Sequence, residues 1–239
     1  GVAVGSAIGG PLVGAIIGAG AGVFNRAFGR KLKDQGIQGE FGGEAGFTGE
    51  NFQFYKGGWF RSDKTKTSPL DADMQSGLAN QFKAIQLQTA LMATALGDTG
   101  QSVADFTSSI LLSCNGLTEA QIGEKLTETF AGIANDLAQT VLGDSAFAKE
   151  GEAASQTLQR LSTSLTTVNA TWDALGFTLE AVSLAGGGAA SSFIDLMGGL
   201  ENFTAATAGY YANFYTETER AQFATEQLSG ELGKLGQTM

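Results

Sequence analysis

The 239-residue chain contains no histidine, one cysteine and two prolines. The missing histidine removes the commonest general base, the usual proton switch near neutral pH and the commonest metal ligand. A single cysteine, Cys114, excludes an internal disulfide and any cysteine-rich zinc site. Scarce proline excludes collagen, which needs proline beside its periodic glycine, and argues against a proline-rich disordered tail. Hydrophobic residues make up 43% of the chain, enough to build a core. No phosphate-cradling loop and no serine elbow is present. Cys114 sits in the apolar run ILLSCNG and reads as a buried, inert thiol. The pairs Glu124/Glu128 and Glu217/Glu219 fall on polar positions of amphipathic stretches and read as solvated faces. No EF-hand spacing occurs. The expectation is a protein that is no enzyme and holds no cofactor or metal.

What the chain has instead is glycine, 35 residues, about twice the usual share. Charge is unevenly placed. Residues 1–66 carry 8 Lys/Arg against 5 Asp/Glu, while residues 67–239 carry 6 against 19. The net of −10 disfavours a duplex DNA reader. The chain begins with Gly1, so it reads as a fragment, a processed product or the ordered part of something longer.

Gly1–Asn25 holds no charge, and its glycines step by four: Gly1, Gly5 and Gly9, then Gly10, Gly14, Gly18 and Gly22. Residues four apart share a helix face, so a smooth glycine groove would lie opposite Val13, Ile16, Ile17 and Val23. Such faces let helices approach closely in a bilayer. A 25-residue helix would rise about 37 Å, enough for a hydrocarbon core of about 30 Å. The basic flank Arg26, Arg30, Lys31 and Lys33 suits an anionic headgroup layer. Three readings stay open: a constitutive membrane helix, a segment that inserts conditionally after being shielded by protein, and an ordinary glycine-rich packing segment. Pro11 and the helix cost of glycine count against a stable helix in water, and conditional insertion is the leading expectation. A secretory signal peptide does not fit, because the basic residues follow the apolar part.

Residues 36–67 change to alternating aromatic and polar residues around Gly57-Gly58, a hairpin signal. Strands are expected near Gly36–Phe41, Asn51–Lys56 and Trp59–Asp63. Tyr55, Lys56, Trp59, Arg61, Lys64 and Lys66 could stack on single-stranded nucleic acid; an aromatic hairpin face packed on helices is the simpler reading. From Ser68 the pattern turns helical, with Ser68 as N-cap, Pro69 at the first position and Asp71 in the first turn. Leu70, Met74, Leu78, Phe82 and Ile85 form one stripe running toward Gly97. Ser108–Ser113 reads as a short strand able to join the hairpin sheet. Thr118 and Gln121 form a capping box before Ile122, Leu126, Phe130, Ile133, Leu137 and Val141, with Gly143 as the stop. A third helix carries Leu158, Leu161, Leu165, Val168, Trp172 and Leu175 at 3-4 spacing, a bundle or trimer seam. Another helical stretch follows Gly186-Gly187-Gly188 through Phe193, Met197, Leu200 and Phe203. It continues into GYYANFYTETER, where Tyr210 with Phe214 and Tyr211 with Tyr215 are i,i+4 pairs suited to an interface or a core. The tail keeps Phe223, Leu228, Leu232 and Leu235 in helical register.

The fold expected is mainly α with a small antiparallel β element, an α+β class assembled as a homotrimer. Four regions are expected: 1–33 glycine-rich and membrane-active, 34–67 hairpin, 68–185 helical with one strand, and 186–239 helical and aromatic.

The order AIGGPLVGAIIGAGAGVFNRAFGRK, FYKGGWFRSDKT, GGLENFTAATAGYYANFYTETER resembles the C-terminal part of tail tape measure proteins of long-tailed bacteriophages, over nearly the whole chain. KGGWFRSDKT at Lys56–Thr65 and YYANFYTETER at Tyr210–Arg220 are its most specific parts. The resemblance implies a structural virion protein inside the tail tube near the tip. Such a protein sets tail length, contacts tip, baseplate hub and distal tail proteins, and works as three chains around the tail axis. It also implies release at infection ahead of the DNA and a step at the host inner membrane, for which Gly1–Phe24 is the natural candidate. Trp59, Tyr210, Tyr211, Phe214 and Tyr215 are the expected interface aromatics, and no sequence-specific nucleic-acid contact is expected. The rival readings are a free pore-forming toxin or bacteriocin, and a peptidoglycan-cleaving tail enzyme.

Overall fold

The computed structural model describes residues 31–57, 62–144 and 146–222, together with 225 and 229. The glycine groove (Gly5, Gly9, Gly10, Gly14, Gly18, Gly22, Ile16, Ile17), Arg26, Arg30, Trp59 and the tail stripe Phe223, Leu228, Leu232 and Leu235 lie outside the described residues. The fold is α+β, helices with a four-stranded antiparallel sheet, as the sequence pattern predicts. The chain divides into two compact units, one built from residues up to 93 and 99–155, the other from 94–98 and 156 onward.

The first unit holds the sheet. Strands β1 (Lys31–Gly42), β2 (Gly46–Lys56), β3 (Lys64–Pro69) and β4 (Ser108–Ser113) lie in the order β3-β2-β1-β4, every pairing antiparallel. A turn that the sequence reading did not name joins β1 to β2. The tight turn is at Gly42–Gly46, where Gly43 and Gly46 take φ of 59° and 77° and the Gly46 N–H donates to Gly43 O at 3.2 Å. Glycine tolerates these left-handed angles without a Cβ clash. The next strand in the sheet after β2 is β3; of the expected strand Trp59–Asp63, residues 59–61 lie outside the described residues. Asp63 accepts from the Gly57 N–H at 2.9 Å.

Helix α1 (Ala72–Ala95) starts later than predicted. Ser68 and Pro69 do not cap it; they end β3, opposite Asn51 and Glu50. Proline lacks a ladder donor, which an outermost strand does not need. Asp71 does the capping, its carboxylate accepting from the Asp73 N–H at 3.0 Å. The predicted stripe Leu70, Met74, Leu78, Phe82 and Ile85 is buried throughout. A short α2 (Gln101–Ala104) leads into β4, which joins the sheet beside β1. Helix α3 (Glu119–Leu142) opens on the predicted capping box: the Gln121 N–H donates to Thr118 Oγ1 at 3.4 Å, and the Thr118 N–H donates to Gln121 Oε1 at 2.9 Å. Its stripe from Ile122 to Val141 is buried, and it ends at Gly143.

Phenylalanine fills the space between sheet and helices. The Phe41 ring lies 4.5 Å from Phe47, 5.4 Å from Phe82 on α1 and 5.5 Å from Phe130 on α3. All four are fully buried. Gly39 and Gly49 face each other across β1 and β2, and the Phe47 ring occupies the place their side chains would take.

Cys114 follows β4 and is buried, its Sγ 3.6 Å from Leu112 O. Burial pushes the thiol up from about 9.0 to about 11, with Asp34 adding to the rise and Lys125 opposing it. The thiol is therefore protonated at neutral pH. A disulfide-exchange reagent such as DTNB at pH 8 is expected to label Cys114 only after unfolding in guanidinium; rapid labelling of the native chain would contradict this burial. The sign for stability follows. The unfolded thiol ionises first, so the contribution of this burial is intact below about pH 9 and is lost as pH rises toward about 11.

The second unit is helical. Helix α4 (Ala154–Ala174) enters it, followed by α5 (Leu184–Leu196) and α6 (Leu200–Phe214). Gly186-Gly187-Gly188 do not precede a helix; they lie inside α5, whose N-cap is Ser183, accepting from the Gly186 N–H at 3.0 Å. A Cβ on Gly187 would stand 2.7 Å from the Leu96 side chain and 3.2 Å from Leu161 Cβ, so Gly187 serves close packing. Gly198 and Gly199, with φ of 82° and 107°, break the predicted single helix into α5 and α6. Asn169 ties the α4–α5 loop down by donating to Glu180 O at 3.0 Å and accepting from its N–H at 2.8 Å.

Candidate interaction surface

The seam residues of α4 divide in two. Leu158, Leu161, Leu165 and Val168 are buried inside the chain's own second unit. Trp172 and Leu175 are half-buried. Trp172 meets Phe193 of α5 edge-on at 5.7 Å, and Phe193 meets Phe203 of α6 edge-on at 5.7 Å. This aromatic ladder is what holds α6, since Phe203 is its single buried residue.

Everything else on α6 faces outward to some degree. Leu196 is 86% exposed and Phe214 is 73% exposed, with Met197, Leu200 and Tyr210 also in the open. Single exposed apolar residues are ordinary on a surface, but these gather in two places, Leu196, Met197 and Leu200 around the α5–α6 turn and Tyr210 and Phe214 at the end of α6. Tyr210 stacks on Phe214 at 4.7 Å, and Tyr211 meets Tyr215 at 5.1 Å, so both predicted i,i+4 pairs form. They differ in role. Tyr210 and Phe214 are exposed, whereas Tyr211 and Tyr215 are half-buried with their hydroxyls donating to Arg220 O at 3.4 Å and Leu175 O at 3.5 Å.

The chain then turns at Tyr215 and restarts as a helix. Thr216 and Glu219 form a second capping box: the Thr216 N–H donates to Glu219 Oε2 at 2.8 Å and the Glu219 N–H donates to Thr216 Oγ1 at 3.3 Å. The Thr216 N–H, together with the Thr216 hydroxyl that donates to the same Oε2 at 2.8 Å, holds the Glu219 carboxyl below its ordinary range. The same Thr-x-x-acceptor spacing as at Thr118 was available in the sequence as a signal for this turn.

Between α4 and α6 runs an open groove lined by small side chains, Thr166, Ala170, Thr204, Thr207 and Ala208 among them, with Tyr211 at one end. Among the described residues no carboxylate or amine lines it. Its chemistry is that of a packing surface.

The other predicted residues are scattered. Lys31 and Lys33 belong to β1; Lys33 is exposed, and its carbonyl accepts from Asn115 Nδ2 at 3.0 Å. Of the two aromatics in the nucleic-acid reading of the hairpin, Trp59 lies outside the described residues and the Tyr55 ring is buried, its hydroxyl donating to Gln53 Oε1 at 2.7 Å. Lys66 approaches that ring to 5.4 Å. Among the described residues no helix is long and apolar enough to cross a membrane, and no group of three acidic or cysteine side chains could hold a metal ion.

Comparison with known proteins finds no matching family model, no matching curated protein and no matching solved structure.

Proposed function

We propose that this chain is the C-terminal part of a bacteriophage tail tape measure protein. It is a structural component of the virion, seated in the tail lumen near the tip. It works through contacts with tip proteins and with copies of itself, followed by release at infection and a step at the host inner membrane. The observation that supports the reading is where the family-like aromatic motif sits. Residues 210–220 occupy the end of α6 and the capped turn after it, a helix that buries only Phe203 and holds Tyr210 and Phe214 in the open. Exposed aromatics on a rigid helix are the chemistry of a protein interface.

The test is mass spectrometry of purified virions and of particles emptied of DNA. Peptides of this chain are expected in full tails and depleted from emptied ones. Their absence from tails would sink the proposal. The membrane step has its own test: a Gly1–Lys33 peptide is expected to release dye from anionic vesicles, and Gly14→Leu with Gly18→Leu to reduce release. A peptide that leaks nothing removes that step.

A further inference from the structure

The two outer strands of the sheet are unlike. An outer strand presents unpaired backbone groups, and proteins commonly blunt such an edge with lysine or proline. Strand β3 has both, reading KTKTSP, with Lys64 and Lys66 exposed. Strand β4 reads SSILLS and carries no charge and no proline. In its middle stands Leu111, 69% exposed.

The backbone alternation shows which groups of β4 remain free of β1. The Cys114 N–H donates to Gln35 O at 2.8 Å. In an antiparallel ladder successive residues turn their N–H and C=O to opposite sides. Leu112 and Ile110 therefore bond toward β1, opposite Ile37 and Gly39. Ser109, Leu111 and Ser113 aim theirs away from the sheet. Among the described residues, the Ser113 carbonyl has a partner there, the Lys125 ammonium at 3.5 Å on a long exposed side chain, and the others have none.

We propose that β4 is a self-association edge: it pairs antiparallel with β4 of a second copy about a two-fold axis passing beside Leu111. This register satisfies every constraint at once. Residues related by a perpendicular two-fold share a sheet face only when their numbers sum to an even value; of these registers the one summing to 222 pairs like with like, setting Leu111 against Leu111 and Ser109 against Ser113 of the second copy. Those are the outward-bonding residues, so each can exchange N–H···O bonds with its counterpart. On the other face Ile110 meets Leu112. Apolar side chains meet apolar ones, serine meets serine, and no charge is brought against its like. The two Lys125 side chains lie at opposite ends of the strand pair. A single short strand pair is a small interface, so the dimer is expected to dissociate in the micromolar range, on the order of 10⁻⁶ to 10⁻⁵ M. The inference does not rest on the tail function proposed above.

The experiment is sedimentation velocity on the full chain, with cysteine cross-linking beside it. At a loading of about 100 μM, well above that range, the chain is expected to sediment at twice its 24.6 kDa mass. Leu111→Lys is expected to return it to the monomer with an unchanged circular dichroism spectrum. Paired backbones at a bonded position stand about 5.5 Å apart at Cα, within disulfide reach. Leu111→Cys with added oxidised glutathione is therefore expected to give a covalent dimer on a non-reducing gel. Thr48→Cys, exposed on β2, is expected to give none, and buried Cys114 adds no background. A monomeric wild type at that loading, a Leu111→Lys chain that keeps its dimer mass, or equal cross-linking from Thr48→Cys would overturn the proposal.

Discussion

Replacing Phe41 by alanine is expected to destabilise the first unit by about 3–5 kcal/mol, the usual cost of emptying a large aromatic site in a core. Phe41 is fully buried and its ring is the shared member of three close ring pairs, with Phe47, Phe82 and Phe130. Its loss therefore opens a space bordered by the β1–β2 hairpin, α1 and α3 together. Each tilted or offset pair also contributes about 0.5–1.5 kcal/mol beyond the area it buries. Collapse into the space is hindered because Phe47 already rests on Gly39 and Gly49 and cannot slide without leaving them uncovered. The measurement is urea unfolding, with the midpoint expected to fall and the slope to hold. Phe214→Ala is the control. At 73% exposure it should change stability by less than about 0.5 kcal/mol. A Phe41→Ala cost under about 1 kcal/mol would mean that this ring cluster is not the organising core.

The helices were legible because burial and helical period coincide. The Leu70–Ile85 and Ile122–Val141 stripes needed only one face of a regular helix, and both are buried where the spacing put them. The Thr118 capping box was legible because its chemistry is local to four residues. The errors share a different cause. Ser68-Pro69 suits a helix start and equally suits the end of an outer strand, and the choice was made by β2 lying alongside, which no local pattern reports. Gly186-Gly187-Gly188 looks like a break, yet becomes helix interior because Leu96 and Leu161 come close enough to need bare backbone at Gly187. In each case a tertiary neighbour overrode a local preference.

The surface was less legible than the core. The aromatic pairs of residues 210–215 could be read from i,i+4 spacing, but which pair would be exposed depended on Leu175 and Arg220 reaching Tyr215 and Tyr211. The 3-4 seam, too short for a coiled coil, reads first as a bundle contact and second as a trimer seam; its first four residues are buried within the chain. The bare edge of β4 could not be read at all, because the strand order that puts β4 outermost is a property of the sheet and not of SSILLS.

Phe203→Ala is expected to release α6. A helix of this length is marginal in water without tertiary support, and α6 buries no other side chain. The ring it loses is the last step of the Trp172–Phe193–Phe203 ladder. The expected cost is about 3 kcal/mol or more, confined to the undocking of α6 and the turn after it, because the buried leucines of α4 pack elsewhere in the second unit. Two readouts follow. Trp172 gains water access, so its fluorescence should shift to the red in a Trp59→Phe background. A Glu-specific protease should then cut at Glu201 faster than in the parent chain, by about the factor that 3 kcal/mol sets, on the order of 10². If the exposed aromatics are the working surface, the same substitution should weaken partner binding while leaving Tyr210 and Phe214 chemically intact. A rigid helix presents its anchors already ordered, and a released one must order them at the moment of contact. A Phe203→Ala chain with parental proteolysis would show that α6 is held by something other than this ladder.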